Sequence, residues 1–282
     1  MGILTVEQVV SQVKDLPTLP EVAIEVIKLT DDPNATAQDI NRVVGKDQGL
    51  TAKVLKLANS AYYGFPRRIA TVTEATVLLG FQTVRSIVMA ASVSDMLSRE
   101  VQGYSLASGE LWRHSQATAM GARLLARQCK YPASDVAYTA GLLHDIGKVI
   151  LNHYLEEAYQ PVVETVTREG VMFMEAETAI LGFNHAEIGA RVGEKWNLPL
   201  PLVEAIANHH SPQLATIDPR LTAIIHLADC LTMIMGVGLG VDGLFYGMQE
   251  DALQKLGLTT ENLEDLVSRL TDMMVDASAF LG

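Results

Sequence analysis

Apolar residues recur along nearly the whole chain at spacings of three and four. No segment alternates apolar and polar positions convincingly enough for a strand, so the pattern predicts an all-helical protein. A first helix is expected from about Thr5 to Leu16, with Val6, Val9, Val10 and Val13 on one side. Pro17 breaks it, and Pro20 suits the first position of a helix running to about Thr30. Thr36 and Asp39 resemble a capping box for a short helix ending near Gly45. Leu50, Val54, Leu57 and Ala58 mark the buried face of the next helix, which stops at Asn59-Ser60 and Gly64. Thr73 to Gly80 reads as a short helix with a glycine stop, and Gln82 to about Leu97 as a longer one. The cluster Gly103, Ser105, Ser108 and Gly109 marks a soft boundary near residues 100–108.

Beyond it, Leu111, His114, Thr118, Ala122 and Leu125 share one helical face. A central helix is expected to start around Ser134-Asp135 and to run unbroken through His144-Asp145 to about Leu151. Its Gly147 would let another backbone approach closely. Asn184 and Glu187 suggest a capping arrangement for a helix carrying His185, Ile188, Val192 and Trp196 on one face. Leu198-Pro199-Leu200-Pro201 starts a helix that ends in His209-His210, and Asp218-Pro219 starts one over Arg220 to Met235 with Asp229 in its middle. The remainder, from Asp242, is expected to be helical, with Leu263, Leu266, Val267, Leu270, Met274 and Phe280 as a packing stripe. Three divisions follow: 1–105, 106–240 and 241–282.

Composition narrows the class. At 282 residues, 49% hydrophobic and 19% charged, the chain is expected to be a soluble globular protein without long disorder. The longest apolar run, Leu231 to Val241, is too short for a bilayer and carries three glycines, and no signal-peptide pattern opens the chain, so a cytoplasmic protein is expected. Cys129 and Cys230 read as reduced thiols. A net charge of -12 works against nucleic-acid binding, which rests on basic residues neutralising phosphates.

The chemistry concentrates on Gly141-Leu142-Leu143-His144-Asp145-Ile146-Gly147-Lys148. A carboxylate in so apolar a setting is costly unless a cation, hydrogen bonds or a metal offsets it. His114, His144, His185, His209 and His210, with Asp145 and Asp229, all lie on or at the ends of apolar helices. Imidazole mixed with carboxylate suits iron, manganese, zinc or nickel better than calcium or magnesium. A carboxylate beside His144 could bridge two metals roughly 3.5–4 Å apart, an arrangement that activates water against a phosphate ester. Each residue also has a plainer reading. His114 alone reads as a core or surface group, and His209-His210 as cations closing a helix. Asp229 would fit an exposed stripe with Thr222 and His226, and Asp145 with Lys148 a solvated ion pair. His153 and His226 read as structural, and Glu110 as an exposed first-turn carboxylate.

Taken together, the order His114, His144-Asp145, Asp229 resembles the HD superfamily of metal-dependent phosphohydrolases. His185, His209 and His210 look like the further ligands of its dinuclear members. Asp47 to Gly64, with Glu74-Ala75 and Leu78-Leu79-Gly80-Phe81, is similar to the HDOD domain, an HD-related output domain of bacterial signalling. The resemblance implies an N-terminal helical bundle packed on an HD-like half. It implies two divalent transition-metal ions bridged by Asp145, with His114, His144 and Asp229 on one and His185, His209 and His210 on the other. Many HDOD domains have lost these ligands, whereas this chain keeps the full set. Lys148 matches a lysine of the HD-GYP motif that would contact a phosphate. The Gly-Tyr-Pro loop of the cyclic-di-GMP phosphodiesterases is replaced by Ser211-Pro212-Gln213-Leu214-Ala215-Thr216, so that substrate is not supported. The functions implied are a metal-containing output module or a phosphohydrolase in which Asp145 and Lys148 act on substrate. The partner would be a signalling protein or a small phosphorylated ligand, with neither nucleic acid nor membrane involved.

Overall fold

The structure, a computed structural model, describes residues 18–243 and 247–276. The expected helix from Thr5 to Leu16 and Phe280 lie outside the described residues. Fourteen α-helices account for most of what is described, and the only extended pairing there is an isolated antiparallel bridge between Val101 and Leu106. No helix among the described residues is long and apolar enough to cross a membrane.

The described chain divides into two compact units. One holds residues 18–95 and 271–276. It contains α1 (Glu21–Thr30), α2 (Ala37–Val44), α3 (Gln48–Ala58), α4 (Val72–Leu79) and most of α5 (Phe81–Leu97). Side chains fix where these helices begin. Thr36 and Asp39 form the expected capping box, Asp47 accepts from the Leu50 N–H at 2.9 Å, and Thr71 accepts from the Glu74 N–H at 3.0 Å. Each bond satisfies an amide that the first turn leaves without a partner. Pro20 precedes α1 as its cap rather than entering it. Leu50, Val54, Leu57 and Ala58 are buried on α3, as the spacing predicts.

The second unit, 96–270, carries the candidate chemistry. Its helices are α6 (Glu110–Gln128), α7 (Ser134–Leu143), α8 (Ile146–Glu169), α9 (Phe173–Leu181), α10 (His185–Lys195), α11 (Leu200–Asn208), α12 (Pro219–Ile234), α13 (Glu250–Leu256) and part of α14 (Thr260–Asp276). α6 packs on α7 and α12, and α10 on α8 and α11. Two expectations need correction. The central helix is not continuous: it ends at Leu143 and restarts at Ile146, with Asp145 leaving helical geometry at φ -99° and ψ 10°. Apolar periodicity persists on both sides of the break, so the pattern does not reveal it. The stretch after Asp242 is not uniformly helical, since a single 3-10 turn at Val241–Gly243 and an irregular segment precede α13.

The approach expected at Gly147 is present. A Cβ there would lie 1.9 Å from the His185 carbonyl oxygen and 2.7 Å from the Gly189 nitrogen, so α8 and α10 meet backbone to backbone. Gly238, in the left-handed region at φ +59°, likewise lies against α6, where a Cβ would sit 2.8 Å from the His114 Cβ.

Candidate metal centre

The seven candidate ligands come from five places in the 96–270 unit: the second turn of α6, the α7–α8 break, the start of α10, the end of α11 and the middle of α12. Helix ends supply more than position. The last carbonyls of a helix lack intrahelical donors, and twice a histidine placed immediately after the helix uses one of them. His144 Nδ1 lies 2.7 Å from the Gly141 carbonyl oxygen and His209 Nδ1 lies 2.7 Å from that of Ile206. His114 Nδ1 reaches the Val237 carbonyl at 3.0 Å. A carbonyl only accepts, so each Nδ1 carries the hydrogen and each Nε2 of the neutral ring presents a bare lone pair.

These lone pairs converge on carboxylates. Asp145 Oδ2 lies 3.5 Å from His114 Nε2 and 3.3 Å from His144 Nε2, while Asp145 Oδ1 lies 3.6 Å from His185 Nε2 and 3.7 Å from His209 Nε2. Asp229 Oδ1 adds contacts of 3.0 Å to His114 and 3.5 Å to His144. His210 Nε2 is 2.8 Å from His185 Nε2. The two oxygens of Asp145 thus face two clusters, one with His114, His144 and Asp229, the other with His185, His209 and His210. Within each three-residue group, one ligand atom per residue lies within 4.8 Å of the others.

This arrangement leaves acceptors facing acceptors. The Nε2 atoms of His114, His144 and His209, together with Asp145 Oδ1, are buried and make no hydrogen bond. Protonating His144 would satisfy one ring and leave the other two unchanged, whereas a cation that accepts lone pairs satisfies all of them at once. Donors bound to a transition metal at about 2.1 Å stand roughly 3.0–3.4 Å apart. The observed spacings of 2.8–3.7 Å bracket that range. The residues therefore fit a bound metal ion.

Electrostatics favours positive charge here. Burial disfavours imidazolium at His144, but the charges of Asp145 and Asp229 outweigh it and raise the pKa to about 10. Burial would raise both carboxyls, yet cationic His144 holds Asp145 and Asp229 well below the usual carboxylate range, with Lys148 assisting at Asp145. Burial, reinforced by charge on His144, pushes His209 down to about 3, and His210 is likewise held low by burial and the adjacent His209. The reading of His209-His210 as cations closing a helix does not hold: both are buried, and burial disfavours the charged form of each.

Other plain readings also fail. Asp229, Thr222 and His226 are buried, so they form no exposed stripe. Lys148 is buried too, with Nζ 2.6 Å from Asp145 Oδ2, so the pair is not solvated. His226 is structural, as expected: Nδ1 donates to the His209 carbonyl at 2.8 Å and Nε2 accepts from the Gln249 N–H at 3.0 Å. Glu110 is part-exposed and pairs with Arg113 at 3.1 Å. The His153 side chain lies outside the described residues.

Glu177 is the residue the pattern does not announce. Fully buried on α9, it accepts from His185 Nδ1 at 2.8 Å, from the His185 backbone N–H at 3.1 Å and from the Tyr104 hydroxyl. A carboxylate behind a histidine fixes its tautomer and increases its basicity as a ligand. A faint signal exists: Glu177 follows buried Phe173 by four residues and Ala176 by one, a charge placed on the apolar face of its helix.

Comparison with known proteins agrees with the helical fold. A crystal structure of an HDOD domain protein of unknown function from Geobacter sulfurreducens matches with a TM-score of 0.77 and 24% identity, covering 98% of this chain and 95% of that one. A proposed signal transduction protein from Marinobacter aquaeolei VT8 matches with a TM-score of 0.77 and 26% identity over 100% of this chain and 62% of that one. An uncharacterized protein of Treponema pallidum (strain Nichols) is 26% identical over 204 residues, 72% of this chain and 39% of that protein, so this chain spans well under half of that relative. The HDOD domain itself matches residues 16–212, a span that takes in the helices of the 18–95 unit and six of the seven candidate ligands. By that match the chain belongs to the HDOD family.

Proposed function

We propose that the protein is a metal-binding signal-transduction output module whose centre holds two transition-metal ions, iron, manganese, zinc or nickel, bridged by Asp145. The observation that carries this reading is the convergence of buried lone pairs from His114, His144, His209 and Asp145 Oδ1 with no hydrogen-bond donors to meet them, beside the His185–His210 pair. The ligands are at most 8% exposed. A phosphate ester would reach the ions only after the site opened, whereas a signalling role asks only that the ions hold the helices in one arrangement. The partner is then a signalling protein or a small phosphorylated ligand, coupled through helix packing.

Elemental analysis after purification without added metal tests the centre. About two ions per chain, falling in a His144→Ala variant, is the expected result. Less than about 0.2 per chain, unchanged by reconstitution with Fe, Mn, Zn or Ni, overturns it.

A second reading, a phosphohydrolase, is favoured by one specific feature: the Lys148 ammonium is held 2.6 Å from Asp145, where it could meet a phosphate oxygen. Bound ions would supply Lewis acidity and water activation. Screening phosphomonoesters, nucleotides and cyclic dinucleotides with Mn or Fe, against His144→Ala, decides between the two readings. Turnover by the wild-type protein alone favours hydrolysis.

A further inference from the structure

The 18–95 unit carries a feature that the metal centre does not use. Between the second half of α3 and the loop at residues 65–70 runs an open groove of about 1080 Å³. Its walls include the cationic side chains of Lys56, Arg67 and Arg68, apolar surface from Ala52 and Leu55, and the ring of Phe65, with no Asp or Glu among the lining residues. In a chain of net charge -12 this is a local reversal of sign.

The groove is built rather than incidental. Asn59, capping α3, clamps the loop by both faces of its amide: Nδ2 donates to the carbonyls of Leu55 and Ile69, each at 2.8 Å, and Oδ1 accepts from the Ile69 N–H at 2.7 Å. That clamp holds Phe65 to Arg68 opposite α3 and keeps them exposed, with Phe65 at 36%. Ser60, also in the lining, has a buried hydroxyl without a hydrogen-bond partner, a donor that an incoming acceptor would satisfy. Arg67 already meets Glu74 at 3.3 Å, so part of its charge is answered; no carboxylate partner is seen for Lys56 or Arg68 among the described residues.

We propose that this groove docks an acidic segment of a partner protein, with carboxylates on Lys56, Arg67 and Arg68 and one apolar side chain against Phe65 and Leu55. Two observations select that occupant. The lining side chains are mostly exposed, so the trough is open along its length, whereas small-molecule sites bury most of the ligand. The surrounding protein is acidic, which disfavours a nucleic-acid strand that would extend beyond three cations.

The test uses the full chain as bait for a displayed library of random twelve-residue peptides, selected in parallel against a K56E/R68E variant. Enrichment of Asp- and Glu-rich clones bearing an aromatic or aliphatic residue on the wild-type bait alone is expected. A fluorescein-labelled copy of a selected clone should then bind at least about tenfold more weakly to K56E/R68E and weaken further from 50 to 300 mM NaCl. No enrichment, or equal enrichment on both baits, overturns the proposal. So does tighter binding of labelled ADP or a dT12 oligonucleotide to the same groove. Unchanged far-UV circular dichroism and metal content in K56E/R68E exclude misfolding. Retained peptide binding in His144→Ala separates this result from the fate of the metal proposal, because all seven ligands lie in the 96–270 unit.

Discussion

Glu177 shows how a residue away from the ligand set governs it. One oxygen, Oε2, accepts from both the His185 ring Nδ1 and the His185 backbone N–H while Oε1 accepts from the Tyr104 hydroxyl, so the carboxylate sets both the tautomer and the start of α10. Glu177→Gln keeps the shape and removes the charge, and metal affinity in competition with a chromophoric chelator is expected to fall about 10–100-fold while the fold persists. Unchanged affinity would make Glu177 a packing residue only. Glu204 provides a contrast in a carboxylate with no link to metal. It accepts the backbone N–H groups of Thr216 at 2.6 Å, Ile217 at 2.8 Å and Asp218 at 2.6 Å, and so fixes the approach to α12. Burial opposes its charge, but these amides outweigh it and hold its pKa below the ordinary 4.5. A depressed carboxyl stabilises the fold above its unfolded-state pKa and loses that effect as pH falls through the folded value. Glu204→Gln should therefore cost about 1–3 kcal/mol at pH 7. The gap in urea midpoints between variant and parent should narrow below about pH 4.5.

At the level of helices, much was legible in the sequence. Thr36 with Asp39 and Asn184 with Glu187 announce helix starts because a cap is a local event between residues three apart, and both boxes form. The break at His144-Asp145 is different. It serves a partner 40 residues away in sequence, His185, whose carbonyl oxygen would lie 1.9 Å from a Cβ on Gly147, and no local pattern encodes that encounter. The same reasoning explains why Glu177 stays hidden: its purpose is set by His185 across a turn, not by its own helix. Gly147→Ala tests the encounter. Backbone blocks the methyl group, so α8 and α10 must separate, at a cost of about 3 kcal/mol or more. Thermal midpoint and metal content should fall together, whereas Gly170→Ala, where a Cβ meets nothing within 4 Å, should lower the midpoint modestly through its φ of +66° and leave the metal content intact.

For the whole molecule, the acidic balance, the helical class and the absence of a membrane-spanning helix among the described residues follow from the sequence with little ambiguity. The pairing of ligands into two clusters does not, because it depends on which carboxylate oxygen faces which ring. If the centre is filled, stripping it with a chelator should lower the thermal midpoint and restoring the metal should raise it again, since a ligand bound only by the folded state adds about 4 kcal/mol at a thousand times its Kd. An unchanged midpoint would detach the ions from the fold. Ligands strung from His114 to Asp229 converge around Asp145, so ion uptake would close several chain loops together, and opening the centre would release them together. Occupancy then becomes visible at a distance, as protease sensitivity at the exposed turns around Gly170, Asn197 and Gln213.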